Sequence, residues 1–285
     1  MKISLRENVE TYLMGLLVLT VIGFSITMLE VFWSVNNFQS IASQIPVLGI
    51  LTLAMAVTML CGGIKLSIIS TANACSLVMA WVAVSYPPSL LTMVATLAAG
   101  VGAAAMIGLC NGVLIAGLSV SPILATLGMM TLLKGINILI TGGSAIANYP
   151  EWVLWLNRAQ WFGVPLPMWL FVVVAIGLWL VLERSTLGRA IYLIGSNERA
   201  TGYSGINTRR VLLWVYVISA VLCAVAAFLM MSKLNSAKAS YGESYLLTSI
   251  LAVVLGAGQS WGSSVAIVRT SPWRVTPSSV STIRR

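Results

Sequence analysis

The chain has 285 residues, of which 59% are apolar types and 8% charged, with a formal net charge of +9. A soluble domain carries about 25% charged residues, so so few charges cannot clothe a water-facing surface, and most of the exterior faces lipid. The sequence holds no histidine and no aspartate, which excludes His-based metal sites, Ser-His-Asp triads and histidine proton relays.

In chain order, the N-terminus opens on polar and charged residues (Lys2, Arg6, Glu7, Glu10), and an apolar run follows from Tyr12 to about Phe32. That run is too long for a signal-peptide core and shows no small-residue cleavage site, so it reads as a first membrane helix retained in the mature protein. Further runs of the kind that spans a bilayer lie near 45–61, 66–84, 90–117, 121–141, 166–183 and 211–232, with a shorter eighth near 245–258. The run 45–61 is short for a crossing. Asn36-Asn37 follows the first run, Gly62-Gly63 the second and Pro87-Pro88 the third; Ser121-Pro122 opens the fifth and Gly142-Gly143 closes it. The expected fold is an all-α integral membrane protein, a polytopic bundle of about eight segments.

Two connections stand out. Residues 144–165 carry Tyr149, Trp152, Trp155 and Trp161, which suits a membrane–water interface and predicts an interfacial helix near 150–160. Residues 184–210 carry Arg184, Arg189, Arg199, Arg209 and Arg210 beside Glu183 and Glu198, polar enough to stand outside the bilayer as short helices and turns.

The basic residues fall in the gaps between apolar runs, not on a nucleic-acid-binding surface, so they act as topology signals. With the N-terminus in the cytoplasm, Lys2, Arg6, Lys65 and the five arginines of 184–210 lie inside, and Arg158, Lys233 and Lys238 outside. Eight against three is the bias of the positive-inside rule. The count requires six crossings before residue 184, so the weak run 45–61 is needed.

Within the runs, Gly100, Ala104, Gly108, Gly112 and Ala116 place a small residue at every fourth position, as tight helix packing or a pore-lining face would require. Asn73, Asn111 and Asn137 must face protein or a water-filled cavity, as interhelical hydrogen-bonding groups or as lining of a solute pathway. Lys134 is the basic residue well inside a run, toward the far end of the fifth, where it bonds backbone carbonyls or a neighbouring helix, snorkels to the interface, or forms part of the pathway. On the far side, Glu30 is the acidic residue expected near a membrane run. Cys61, Cys75, Cys110 and Cys223 form no C-x-x-C pair and read as small apolar residues. No G-x-x-x-x-G-K-[ST] loop is present, so the chain does not bind ATP by that means. No catalytic, cofactor or metal site is expected.

Three stretches carry a resemblance: SPILATLGMMTLLKGINILITGG (121–143), TLGRAIYLIGSNERATGYSGINTRRV (186–211) and YGESYLLTSILAVVLG (241–256). They resemble the ribose-type family of ATP-binding-cassette importer permeases, over about residues 10–262. The resemblance implies a fold of about ten helices per subunit, paired with a second permease subunit, identical or not, around one central pathway for a monosaccharide or similar small polar solute. It implies a cytoplasmic ATPase partner, a periplasmic or extracellular solute-binding protein, an inner-membrane location and no cofactor. It makes the 184–210 region the ATPase-coupling segment, carried by Gly188, Arg189, Gly195, Asn197, Ala200, Ser204, Gly205 and Ile206, with Glu198 added; contact with lipid headgroups is the other use of those arginines.

The sequence departs from the family twice. The family's G-G-I-D-L-S-V-G carries an acid where this chain has Lys65, a change expected at the cytoplasmic end of a helix. After Gly262 the family continues through further apolar helices, whereas 263–285 is a polar tail, set apart from the 1–262 permease domain and expected from a shifted frame or truncation. The competing readings are a secondary transporter or channel, and a remnant that does not transport.

Overall fold

In hydrocarbon an apolar run can satisfy its backbone only as a helix or in a closed barrel. The computed structural model, which describes residues 4–270, makes each run a helix. In order these are α1 (Ser4–Thr27), α2 (Leu29–Phe32), α3 (Val35–Leu60), α4 (Ile68–Ser85), α5 (Leu90–Gly112), α6 (Pro122–Thr141), α7 (Glu151–Arg158), α8 (Leu166–Arg184), α9 (Thr186–Tyr203), α10 (Thr208–Leu234) and α11 (Glu243–Thr270). A π-helical turn, Val113–Gly117, extends α5. Among the described residues six helices are long and apolar enough to cross a membrane, and the apolar stretches Met14–Thr27 and Glu243–Gly256 are shorter. The expected polytopic helical bundle is therefore what forms.

The second run is longer than its apolar core. Ser34 caps α3 by accepting from the Asn37 N–H, and the helix passes through Asn36, Asn37 and Pro46 to Leu60. The Asn36-Asn37 pair is thus the first turn of a 26-residue helix and not a break after α1. At α6 the local signals hold: Pro122 sits in the first turn and Gly142 ends the helix at φ 58°. The interfacial segment contains α7, with Val153 buried and Trp155 exposed. Helix α11 continues to Thr270, past the expected boundary at 262; residues 271–285 lie outside the described residues.

The core is built around α10 and α4. Val215, Ala220, Cys223, Ala227 and Met231 of α10 pack with Met55 of α3 and with Ile68, Cys75 and Met79 of α4. The small-residue stripe of α5 faces this core. A β-carbon at Gly108 would lie 2.8 Å from Val217 Cα and 2.9 Å from the Tyr216 carbonyl oxygen, so only glycine lets α5 and α10 approach this closely. The stripe packs helices.

Two connections dip into the bundle. Between α3 and α4, Leu66 N–H and the Ile64 carbonyl both engage Thr126 Oγ1 on α6. Lys65 in this stretch is fully buried, its Nζ 3.4 Å from Ser219 Oγ, which itself donates to the Ala54 carbonyl. It is therefore not a charge at the solvent-facing end of a helix: the irregular connection 63–67 carries it inward, and it drops out of the topology count. Burial holds its amine below the ordinary lysine range. Between α10 and α11, the two-residue strand β4 (Ser236–Ala237) pairs with β1 (Ile146–Ala147), and Asn73 Nδ2 donates to the carbonyls of Ala239 and Tyr241 at 2.9 and 3.0 Å. A second small ladder joins β2 (Gln160–Trp161) to β3 (Val164–Pro165).

Candidate functional site

The predicted coupling segment is a helix of its own, set at one end of the bundle between α8 and α10. Ser185 starts it by accepting from the Gly188 N–H. Its apolar stripe, Ala190, Ile191 and Ile194, is buried, whereas Arg189, Glu198 and Arg199 are exposed. Two glycines set its position. A β-carbon at Gly188 would collide with the Leu182 carbonyl at the tight α8–α9 corner, and one at Gly195 would collide with the Leu60 carbonyl at the end of α3. Helix α9 therefore lies directly on the last turn of α3.

Asn197 breaks the helix. Its backbone is extended (φ −163°, ψ 102°), its Oδ1 accepts from the Ala200 N–H, and its carbonyl accepts from Thr201 Oγ1. It thus restarts a short second half, which ends where Ser204 Oγ donates to the Ala200 carbonyl. Gly205, at φ 83°, turns the chain toward the half-buried Ile206, and Asn207 Oδ1 caps α10 through the Arg210 N–H. The local account of Asn197, Ala200, Ser204 and Gly205 is a capped kink followed by a turn. The surface they shape exposes Arg189, Glu198 and Arg199.

A cavity of about 360 Å³ lies beneath the second half of α9, bounded by Cys61, Gly63, Ser119, Glu198, Arg209 and Tyr216. Beside it, Ile194 of α9 packs on Ala116 and on Leu212 of α10. Burial, reinforced by Glu198, pushes the Cys61 thiol up to about 12, which keeps it neutral and unreactive at this wall.

The candidate pathway residues do not form one cluster. Asn73 is committed to the α10–α11 connection and leaves its buried Oδ1 without a partner. Asn111 Nδ2 reaches Ser67 Oγ at 3.4 Å, and its Oδ1 is also unpaired. Asn137 Nδ2 is 3.5 Å from the Ser70 carbonyl. These three join helices around α4. Lys134 alone points outward, its Nζ 2.7 Å from Glu243 Oε1. Glu243, the first residue of α11, is an acidic residue missed beside Glu30 in the sequence reading. Its signal was present, a carboxylate at the start of an apolar run, but its partner lies 109 residues away. Among the described residues no group of three His, Cys, Asp or Glu side chains could hold a metal ion.

Comparison with known proteins gives a consistent result. The family described as branched-chain amino acid transport system / permease component matches residues 37–273. The ribose import permease protein RbsC of Escherichia coli strain K12 is 34% identical over 262 residues, 90% of this chain and 80% of that protein. The autoinducer 2 import system permease protein LsrD is 30% identical over 280 residues in Photorhabdus temperata, covering 95% of this chain and 82% of that protein. Its Yersinia enterocolitica counterpart is 31% identical over 277 residues, with the same coverage. No solved structure matches.

Proposed function

Because the chain belongs to the family of branched-chain amino acid transport system / permease components, we propose that it forms the translocation pathway of an ATP-driven importer for a monosaccharide or similar small polar solute. It is a transport subunit of the carbohydrate-uptake class and not an enzyme. It pairs with a second permease subunit, receives its solute from a binding protein, and takes its energy from a cytoplasmic ATPase that docks on α9. It sits in the inner membrane with its N-terminus in the cytoplasm. The relatives' names supply the solute class, ribose and autoinducer 2.

The observation that carries this reading is the construction of α9. A helix that buries Ala190, Ile191 and Ile194, exposes Arg189, Glu198 and Arg199, and is seated by Gly195 on the end of α3 can pass a push from a partner into a membrane helix. The orientation rests on charge: without Lys65, the five arginines of 184–210 still outweigh Arg158, Lys233 and Lys238 at the other end.

The test is reconstitution of the chain with its ATPase in proteoliposomes, with uptake measured for a monosaccharide panel. Uptake should require both the ATPase and ATP. Gly195→Val, which pushes α9 off Leu60, should lower coupled uptake by about tenfold or more, since a displacement of about 1 Å remote from the chemistry of a molecular machine can cost about a hundredfold. Transport that persists with the ATPase omitted would overturn the proposal in favour of a secondary transporter or channel.

A further inference from the structure

Lys134 of α6 and its partner Glu243 of α11 form an ion pair that is open to the surroundings. The buried stripe of α6 is Ala125, Thr126, Met129, Leu133 and Asn137, which faces α4. Lys134 lies on the adjoining open face, with Gly128, Thr131 and Gly135. The side chains of Lys134 and Glu243 are 48% and 56% exposed.

The depth of the pair follows from helix geometry. At a rise of about 1.5 Å per residue, Lys134 lies roughly 18 Å along α6 from Pro122 and about 10 Å short of Thr141. Glu243 reaches that level because the preceding connection is drawn into the bundle by Asn73. Asn73 itself sits roughly 18 Å short of the end of α4 at Ser85. The ion pair therefore lies about 10 Å in from the Thr141 end of α6, within the apolar span, on a face that leaves both charges half open. Charged side chains at that depth face a water-filled space or protein, because hydrocarbon solvates them poorly. Helices that begin within the membrane also mark solute sites in transporters.

The chemistry of the pair specifies what it can hold. Lys134 spends one of its three donors on Glu243, and Glu243 one of its two oxygens, so each keeps capacity toward a solute. An ammonium donates to a hydroxyl or ring oxygen, and a carboxylate accepts from adjacent hydroxyls. Together they carry no net charge.

Resting on the proposed function, we infer that the α6–α11 face bearing Thr131, Lys134 and Glu243 is a wall of the aqueous pathway, and that this ion pair keeps the pathway selective for uncharged, hydroxyl-rich solutes. Either residue alone would make the wall charged and favour a solute of opposite sign.

The test reads local water access and local charge without ATP, ATPase or a known solute, so its failure would leave the importer reading standing. Thr131→Cys is introduced into the full chain with its four native cysteines replaced by alanine. Membrane vesicles of both orientations are then treated with an anionic and a cationic methanethiosulfonate. Thr131→Cys should react with both reagents, at rates within about threefold of each other; Val173→Cys, on the exposed face of α8, should react with neither. Adding Glu243→Gln should raise the anion-to-cation rate ratio by about tenfold or more, and adding Lys134→Met should lower it by a similar factor. A Thr131→Cys as unreactive as Val173→Cys, or a rate ratio indifferent to both substitutions, would overturn the inference.

Discussion

Helices α4 and α8 both cross the membrane, and they divide the labour of the fold in opposite ways. In α4, 72% of the apolar window is buried inside the protein; in α8 the figure is 11%. Yet α4 is the more polar, with Ser70, Thr71, Asn73 and Ser76 all buried, whereas α8 reads LPMWLFVVVAIGLWLVLER. In water the more buried helix would be the more apolar. In lipid the tails are as apolar as leucine, so burial of apolar surface gives no preference, and the helix at the centre is the one whose polar groups need protein partners. Helix α8 packs through Pro167 and Leu178 and leaves Val173, Ile176 and Trp179 to the surroundings.

That contrast can be broken or sharpened by substitution. The largest effect is expected at Asn73. Asn73→Leu keeps the volume but strips the donors from the Ala239 and Tyr241 carbonyls, and each orphaned group costs about 1–3 kcal/mol. The purified protein in detergent should lose about 2–5 kcal/mol of stability, read as a lower melting temperature; an unchanged melting temperature would mean that α4 is not held by its polar contacts.

Lys65, which packs against the same helix, should respond with the opposite sign. Among the described residues its buried amine meets Ser219 Oγ and no carboxylate, so Lys65→Met should stabilise the protein by about 1–3 kcal/mol. The pH dependence should change with it. Because burial lowers the folded-state pKa below the ordinary 10.5, the unfolded chain holds a proton that the folded chain has released in the window below 10.5. Stability therefore rises with pH through that window. Lys65→Met removes the rise, and melting temperatures across the alkaline range measure it. A variant that is less stable and equally pH-dependent would show that Lys65 works as a structural cation.

The smallest effect belongs to α8. Val173→Ala removes methyl groups that touch little protein and should shift stability by less than about 0.5 kcal/mol. A loss several times larger would mean that this face packs against protein, in an assembly that the isolated chain does not display.

The same physics decides what could be read from the sequence. The start of α6 at Pro122 and its end at Gly142 were legible, because proline and glycine act through their own backbones. So was the existence of α9 as a polar segment. The internal kink was not: Asn197 has the composition of any exposed asparagine, and its capping role appears only when its Oδ1 meets the Ala200 N–H. Lys65 and Glu243 were misjudged for a different reason. Whether a charge ends in solvent, in the core or in a pair depends on segments far along the chain, here Ser219 and Lys134. The start of α3 lay between these cases, since Ser34 is a good cap but Asn36-Asn37 imitates a turn.

The ladder between β1 and β4 fastens two loops that the sequence keeps about 90 residues apart. Tyr149 N–H adds a bond to Asn235 Oδ1, and Ser232 Oγ reaches the Val153 carbonyl. Helix α7 is thereby tied to the end of α10. A protein landing on that rim would press on the end of α10, which runs roughly 40 Å to the corner where α9 ends.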